Sequence, residues 1–239
     1  MPSAPRGTVL HSRPLRSIFP RSVLVHTAIF CVVNVLALIR WGHSEPWSRL
    51  DRYSIAAILL LVGMGSMKAR VHGALGPEIG RQFFGERFDP LMQRLRKVMR
   101  LGDLLTLLDY GSGPLFPAMA VPALQVAGLV IAPLVIVWLW WVDSYLIARF
   151  PATLDGAMMQ DGPFRYIRHP RYIGLLLGRF AFAALLGSIV GWAHFLGSVL
   201  IFTRRMRREE RHLRATFPGE YDAYMQRTGR VLPRLTANG

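Results

Sequence analysis

Thirty-three consecutive residues, 110–142, carry no charge. As one helix rising ~1.5 Å per residue they would reach about 50 Å, longer than one ~30 Å hydrocarbon core and shorter than two crossings need. Extending the stretch to 101–147 gives 47 residues, which suffice for two spans turning near Pro122. The first of these is interrupted by Gly111-Ser112-Gly113-Pro114 and Pro117. Breaks of that kind are tolerated in a membrane only where protein or water re-satisfies the freed backbone groups. The interrupted span is therefore expected to face other helices or a cavity.

Three more stretches share the pattern. Residues 22–39, between Arg21 and Arg40, are 18 without charge, the length of a spanning helix. Four arginines precede them and no small-x-small cleavage site is evident, so they read as a retained anchor. Residues 53–67 are shorter and must borrow flanking residues or tilt little. Residues 172–203 hold Arg179 as their one full charge and turn at Gly187-Ser188-Ile189-Val190-Gly191, which predicts a short helical hairpin. Its second arm is expected to continue through 204–226 as a charged helix in which Glu210 and Arg214 pair at helical spacing.

The composition agrees. Only 18% of the chain is charged, 52% is hydrophobic, and 29 Lys+Arg face 14 Asp+Glu for a net +15. Soluble domains average about 25% charged, so disorder and a soluble nucleic-acid binder are both excluded. The single Cys31 supports neither an internal disulfide nor a cysteine zinc site. The seven histidines are scattered, without a His-Glu-x-x-His, so no metal is expected. Gly63-Met64-Gly65 lies within an apolar span and makes no dinucleotide loop.

Cytoplasmic loops carry the excess of Lys and Arg. With six spans, the 1–21 arm, the basic 68–100 segment, the 148–171 loop and the carboxyl tail all fall inside, leaving Arg40, Arg49 and Arg52 outside. With five, 101–147 being one helix, the most basic loop would lie outside. The expected fold is thus an all-α integral membrane bundle of about six spans with a carboxyl-terminal cytosolic helix. It divides into the 1–21 arm, a 22–147 transmembrane region and a 148–235 core. Within 90–100, Leu91, Leu95 and Val98 or Met99 share a helical face, which fits either an interfacial helix or a solvated basic loop.

Two clusters could carry chemistry. The loop before the hairpin reads Gly162-Pro163-Phe164-Arg165-Tyr166-Ile167-Arg168-His169-Pro170-Arg171-Tyr172. Interfacial tyrosines and arginines alone would explain it by anchoring. His169 is the odd element, held extended before Pro170. The second cluster, Arg204 to Leu213, puts Arg205 and Glu209 four apart on one face. Such a pair is ordinarily a solvated ion pair. The hairpin, however, returns His169, Tyr172, Arg205 and Glu209 to one membrane surface, where cation, carboxylate and aromatics would suit a small molecule. Arg179, inside the hairpin, should meet Asp143 or Asp109, and His194 and His26 read as interior residues.

On those strings, with Arg-Arg-Glu-Glu at 207–210, Phe217-Pro-Gly-Glu-Tyr-Asp-Ala-Tyr224 and Arg230-Val-Leu-Pro233, the segment 150–235 resembles the integral-membrane methyltransferases typified by isoprenylcysteine carboxyl methyltransferase, which are related to phospholipid methyltransferases. The resemblance implies S-adenosylmethionine as cofactor, a hydrophobic methyl acceptor entering from the bilayer, and an integral-membrane protein whose active site faces the cytosol, in the inner or plasma membrane if the source is prokaryotic. It implies that Ala157, Met158, Met159, Phe164, His169, Pro170, Arg171, Tyr172 and Glu209 line the cofactor, with Arg205 near the acceptor. Phe164 departs from the tyrosine common there, and Met-Met-Gln-Asp at 158–161 departs from a frequent Val-Thr pair. The sulfonium already activates the methyl, so the protein must align the reactants and exclude water. Arg205 would orient a carboxylate acceptor, whereas an amine or thiol would need a base, for which His169 is the candidate. Two rivals remain at this point: an NADPH-dependent sterol-type reductase, whose relatives end in a longer aromatic tail, and a non-enzymatic basic scaffold binding anionic lipid through 68–100.

Overall fold

A computed structural model describes residues 52–83, 90–111, 116–154, 156 and 158–234. The arm, the 22–39 span with Cys31 and His26, and Ala157 lie outside the described residues. Six α-helices and two short 3-10 turns make up the described residues: α1 (Arg52–Phe83), α2 (Pro90–Gly111), α3 (Pro122–Leu154), α4 (Pro170–Leu186), α5 (Ile189–Thr216) and α6 (Glu220–Arg227), with 3-10 turns at Pro117–Met119 and Gly162–Arg165. The chain is all-helical over these residues, as the apolar runs predicted.

The 101–147 region holds two helices with the break before Pro122, but they are displaced from the expected spans. The first starts at Pro90, so the basic run 90–100 is its opening three turns. Likewise the 53–67 span continues through 68–83, bending at Gly76, whose φ of 78° only glycine adopts readily. Pro122–Phe150, within α3, is one helix long and apolar enough to cross a membrane. Val126, Val130, Leu134, Val137 and Trp140 form an exposed stripe along it, a face that suits lipid better than water.

α4 is the central helix, packed on α3 and α1 on one side and on α5 on the other. Its small residues permit this close approach. A Cβ on Gly178 would lie 2.7 Å from Met64 Sδ, and one on Gly174 would lie 2.7 Å from Leu139 Cδ2. The core joins Ala57, Leu60 and Leu61 of α1, Val135 and Leu139 of α3, and Ala181, Phe182 and Leu185 of α4. A second cluster gathers Met99, Tyr172, Phe202 and Met206.

The hairpin turn is tighter than the five residues expected, because Ile189 already belongs to α5. Gly187 ends α4 with φ 57° and donates its N–H to Ala183 O at 2.9 Å. Ser188 caps α5, its Oγ accepting from Gly191 N at 3.1 Å and donating to Asp109. A Cβ on Gly187 would lie 2.5 Å from the Ala120 Cα. Gly187→Ala is therefore expected to destabilise the fold by more than about 1 kcal/mol, strain and overlap acting together. The thermal midpoint of the purified protein measures this.

Arg179 corrects an expectation. It pairs with neither Asp143 nor Asp109 but with the buried Asp103 of α2, which His194 also faces at 3.3 Å. Asp143 receives Arg171 Nε at 2.8 Å, and Asp109 receives Ser188. Asp109 meets Ser188 at the hairpin turn, so Asp103, six residues earlier on α2, is the carboxylate level with Arg179 of α4.

Candidate functional site

Contacts along the helices set which basic segments share an end of the bundle. Arg70 of α1 donates to Ser144 of α3 at 2.9 Å, Arg171 reaches Asp143, and Met99 packs with Phe202 and Met206. The second half of α1, the start of α2, the 158–169 loop and the end of α5 therefore lie together. Of the arginine-rich segments that charge bias grouped, these lie within the described residues and the 1–21 arm does not.

At that end Pro170 opens α4, where its missing N–H costs nothing and its fixed φ suits a first turn. His169, with φ −125° and ψ 57°, precedes it outside helical geometry, as a residue before proline should. The chain then comes back on itself. Arg168 N–H donates to Gly229 O at 2.8 Å, His169 N–H donates to Arg230 O at 3.0 Å, and Ile167 and Gly229 form a parallel bridge. The 228–231 tail thus lies beside the loop.

Glu210 of α5 fastens both. Its buried carboxylate accepts from Arg168 Nε at 3.0 Å and from Arg230 Nε at 3.1 Å, and His169 Nε2 lies 3.3 Å away. Burial alone would push this carboxyl up. The hydrogen bonds from His169, Arg230 and Arg168 outweigh it and hold the carboxyl well below the usual carboxylate range. Arg168 also donates to the Met225 carbonyl at 3.2 Å and to that of Thr228. Tyr224, its phenol pushed up to about 12 chiefly by burial, donates to Phe164 O at 2.7 Å.

One turn away, Tyr172 hydroxyl donates to Glu209 Oε2 at 2.9 Å, and the Arg205 guanidinium lies 5.6 Å from the Tyr172 ring centroid. The His169 and Phe202 rings each lie 5.5 Å from that of Tyr172. Glu209 is exposed and Arg205 half-buried, so carboxylate and guanidinium border a surface floored by aromatic rings. The structure thus brings together His169, Tyr172, Arg205 and Glu209, as hairpin geometry predicted. Arg171 turns the other way, to Asp143 on α3.

Phe164 is half-buried with its ring 6.2 Å from that of Tyr145, whose hydroxyl bonds Asp161. Asp161 also takes Arg149 at 2.7 Å. Met158 and Met159 are half-buried ahead of this turn, and no described hydrogen bond or ring contact ties them to Tyr172. Sequence reasoning passed over Glu210, reading it only as the helical partner of Arg214. Arg214 instead meets Asp222 at 3.1 Å. The missed signal was the Glu-Glu pair itself: adjacent helical residues point about 100° apart, so one faces the loop when the other faces outward. Among the described residues, no group of three or more His, Cys, Asp or Glu could hold a metal ion.

The family model described as phospholipid methyltransferase matches residues 142–220, a stretch that contains His169, Tyr172, Phe202, Arg205 and Glu209. That stretch is about a third of the chain. The segment similar to phospholipid methyltransferases runs from the last third of α3 to the start of α6. Two curated relatives match more weakly. The chain is 32% identical over 116 residues to the cobalt-zinc-cadmium resistance protein CzcN of Cupriavidus metallidurans, covering 48% of this chain and 51% of that protein. It is 30% identical over 82 residues to the protein-S-isoprenylcysteine O-methyltransferase of Schizosaccharomyces pombe, covering 34% of this chain and 35% of that enzyme. The chain therefore matches about half the length of the first relative and about a third of the second.

Proposed function

We propose that this chain is an integral-membrane methyltransferase that uses S-adenosylmethionine to methylate a lipid-like or small hydrophobic acceptor at the cytosolic surface of the membrane. The observation that carries the reading is the juxtaposition of Glu209, Arg205 and the Tyr172, His169 and Phe202 rings inside the phospholipid methyltransferase segment. The likeness to an isoprenylcysteine methyltransferase supports a methylated acceptor of that kind. In this reading 148–235 is the cofactor core, and α1 to α5 supply five of six spans, 22–39 being the sixth.

The residues complement the cofactor in charge and in aromatic character. Its amino-acid end carries an ammonium, which Glu209 complements. Its adenine would stack on an aromatic ring, for which the half-buried Phe164 is the candidate, with Met158 and Met159 as apolar neighbours. When bound, the cofactor supplies a methyl already activated by a sulfonium. What is left to the chain is alignment and the exclusion of water. Arg205, half-buried beside Tyr172, serves to orient an anionic acceptor. His169 has Nε2 turned to Glu210, so its contribution is first to hold the entrance of α4. Proton acceptance from an amine or thiol would fall to Nδ1.

Binding tests the reading directly. S-adenosylmethionine at ~100 times its dissociation constant should stabilise the detergent-purified protein by about 2.7 kcal/mol. Glu209→Ala should abolish that shift without lowering the midpoint of the unliganded protein. A shift with NADPH alone would move the chain to the reductases, and no shift with either would defeat the proposal. Turnover by His169→Gln at saturating cofactor would then exclude His169 as the base.

A further inference from the structure

Two helices change character at the same level of the bundle. On α2 the exposed face reads Leu105, Leu101 and Val98, and then Lys97 and Arg94, with Arg100 exposed beside them. On α5 it reads Leu196 and Leu200, 61% and 64% exposed, and then Arg204, Arg207 and Arg211. Spacings of three and four keep each series on one side of its helix, so these arginines look the same way as the exposed leucines. Met99 packing with Phe202 and Met206 places the two transitions side by side.

The acidic residues near this surface are turned elsewhere. Residues 90–102 contain none. The two on α5 beyond Thr203 are Glu209, which accepts from Tyr172, and Glu210, which accepts from Arg168 and Arg230. The outward side is left basic on both helices. Where an apolar stripe ends in a row of guanidinium and ammonium groups, the complementary surface is a layer of phosphates above acyl chains. Free anions would explain the charge but not the apolar half of the stripe. An acidic protein or a nucleic acid would meet the exposed leucines only at a cost.

We infer that Arg94, Lys97 and Arg100 of α2, together with Arg204, Arg207 and Arg211 of α5, bind the headgroups of anionic phospholipids in the leaflet around the methyltransferase segment. The inference rests on the membrane placement proposed above and is independent of methyl transfer.

Native mass spectrometry of the full chain in detergent, with equal phosphatidylglycerol and phosphatidylcholine, reads the preference. Retention of phosphatidylglycerol should exceed that of phosphatidylcholine roughly ten-fold, as a few basic groups near a charged leaflet would give. It should fall towards parity in Arg94→Gln/Lys97→Gln/Arg100→Gln and in Arg204→Gln/Arg207→Gln/Arg211→Gln, each with an unchanged thermal midpoint. Arg→Lys at the five arginine positions, leaving Lys97, should keep it. Equal retention of the two lipids by the unaltered chain, or a preference untouched in both glutamine variants, overturns the inference. Tighter binding of a DNA duplex than of phosphatidylglycerol at one salt concentration would also overturn it. Extraction of the chain from membranes by alkaline carbonate would instead defeat the membrane placement, and that result is read separately.

Discussion

Glu210→Ala is expected to destabilise the folded chain by about 3–5 kcal/mol, the cost of breaking a buried ion pair from one side. The effect is large because the partners stay behind. Arg168 and Glu210 have side chains only 8% and 4% exposed, so the guanidinium cannot turn to water. Loss of the carboxylate also frees His169 and the 228–231 tail, so the site should lose its cofactor affinity along with its shape. The neighbouring Glu209→Ala should separate these effects, since Glu209 is exposed and bonded to Tyr172 alone among the described contacts. Acid titration gives the sign. Glu210 has a folded pKa depressed below its ordinary 4.5, so its contribution is complete above that value and is lost as pH falls through the lower folded one. Denaturant unfolding between about pH 7 and about pH 3 should therefore show a decline that is smaller in Glu210→Gln. Equal stability of Glu210→Ala and the unaltered chain at pH 7 would sink this account.

The difference between those two glutamates shows what a sequence conveys and what it withholds. Apolar runs give the helices because lipid or core burial must cover an uninterrupted backbone, and α3, α4 and α5 stand close to where the runs place them. Hairpin connectivity alone brings His169 and Tyr172 to Glu209 and Arg205, so that part of the candidate site was legible. Boundaries at the basic segments were not. Lys68 to Phe83 and Pro90 to Arg100 lack an apolar run, yet they are helical as continuations of helices anchored elsewhere. The fold of the tail against the loop was illegible as well. It depends on Glu210 meeting Arg168 and Arg230, 42 and 20 residues away, with no local spacing to announce it.

Arg179 and Asp103 repeat that logic inside the bundle and give the sharper test of it. Each single replacement, Arg179→Leu or Asp103→Leu, should cost about 3–5 kcal/mol by stranding an ion among apolar neighbours. The double replacement should recover most of that loss, because two leucines need no desolvation compensation. The gain over additivity in a double-mutant cycle of unfolding in detergent should therefore be at least the cost of one single replacement, about 3–5 kcal/mol. His194, 3.3 Å from the same carboxylate oxygen, is the third member: in the Asp103→Leu background His194→Ala should cost less than it does in the unaltered chain. Strict additivity of Arg179→Leu and Asp103→Leu would mean that α2 is held to the hairpin by apolar packing alone. In that case the charge pair would neither set the register of α2 nor decide which face of it meets α4 and α5.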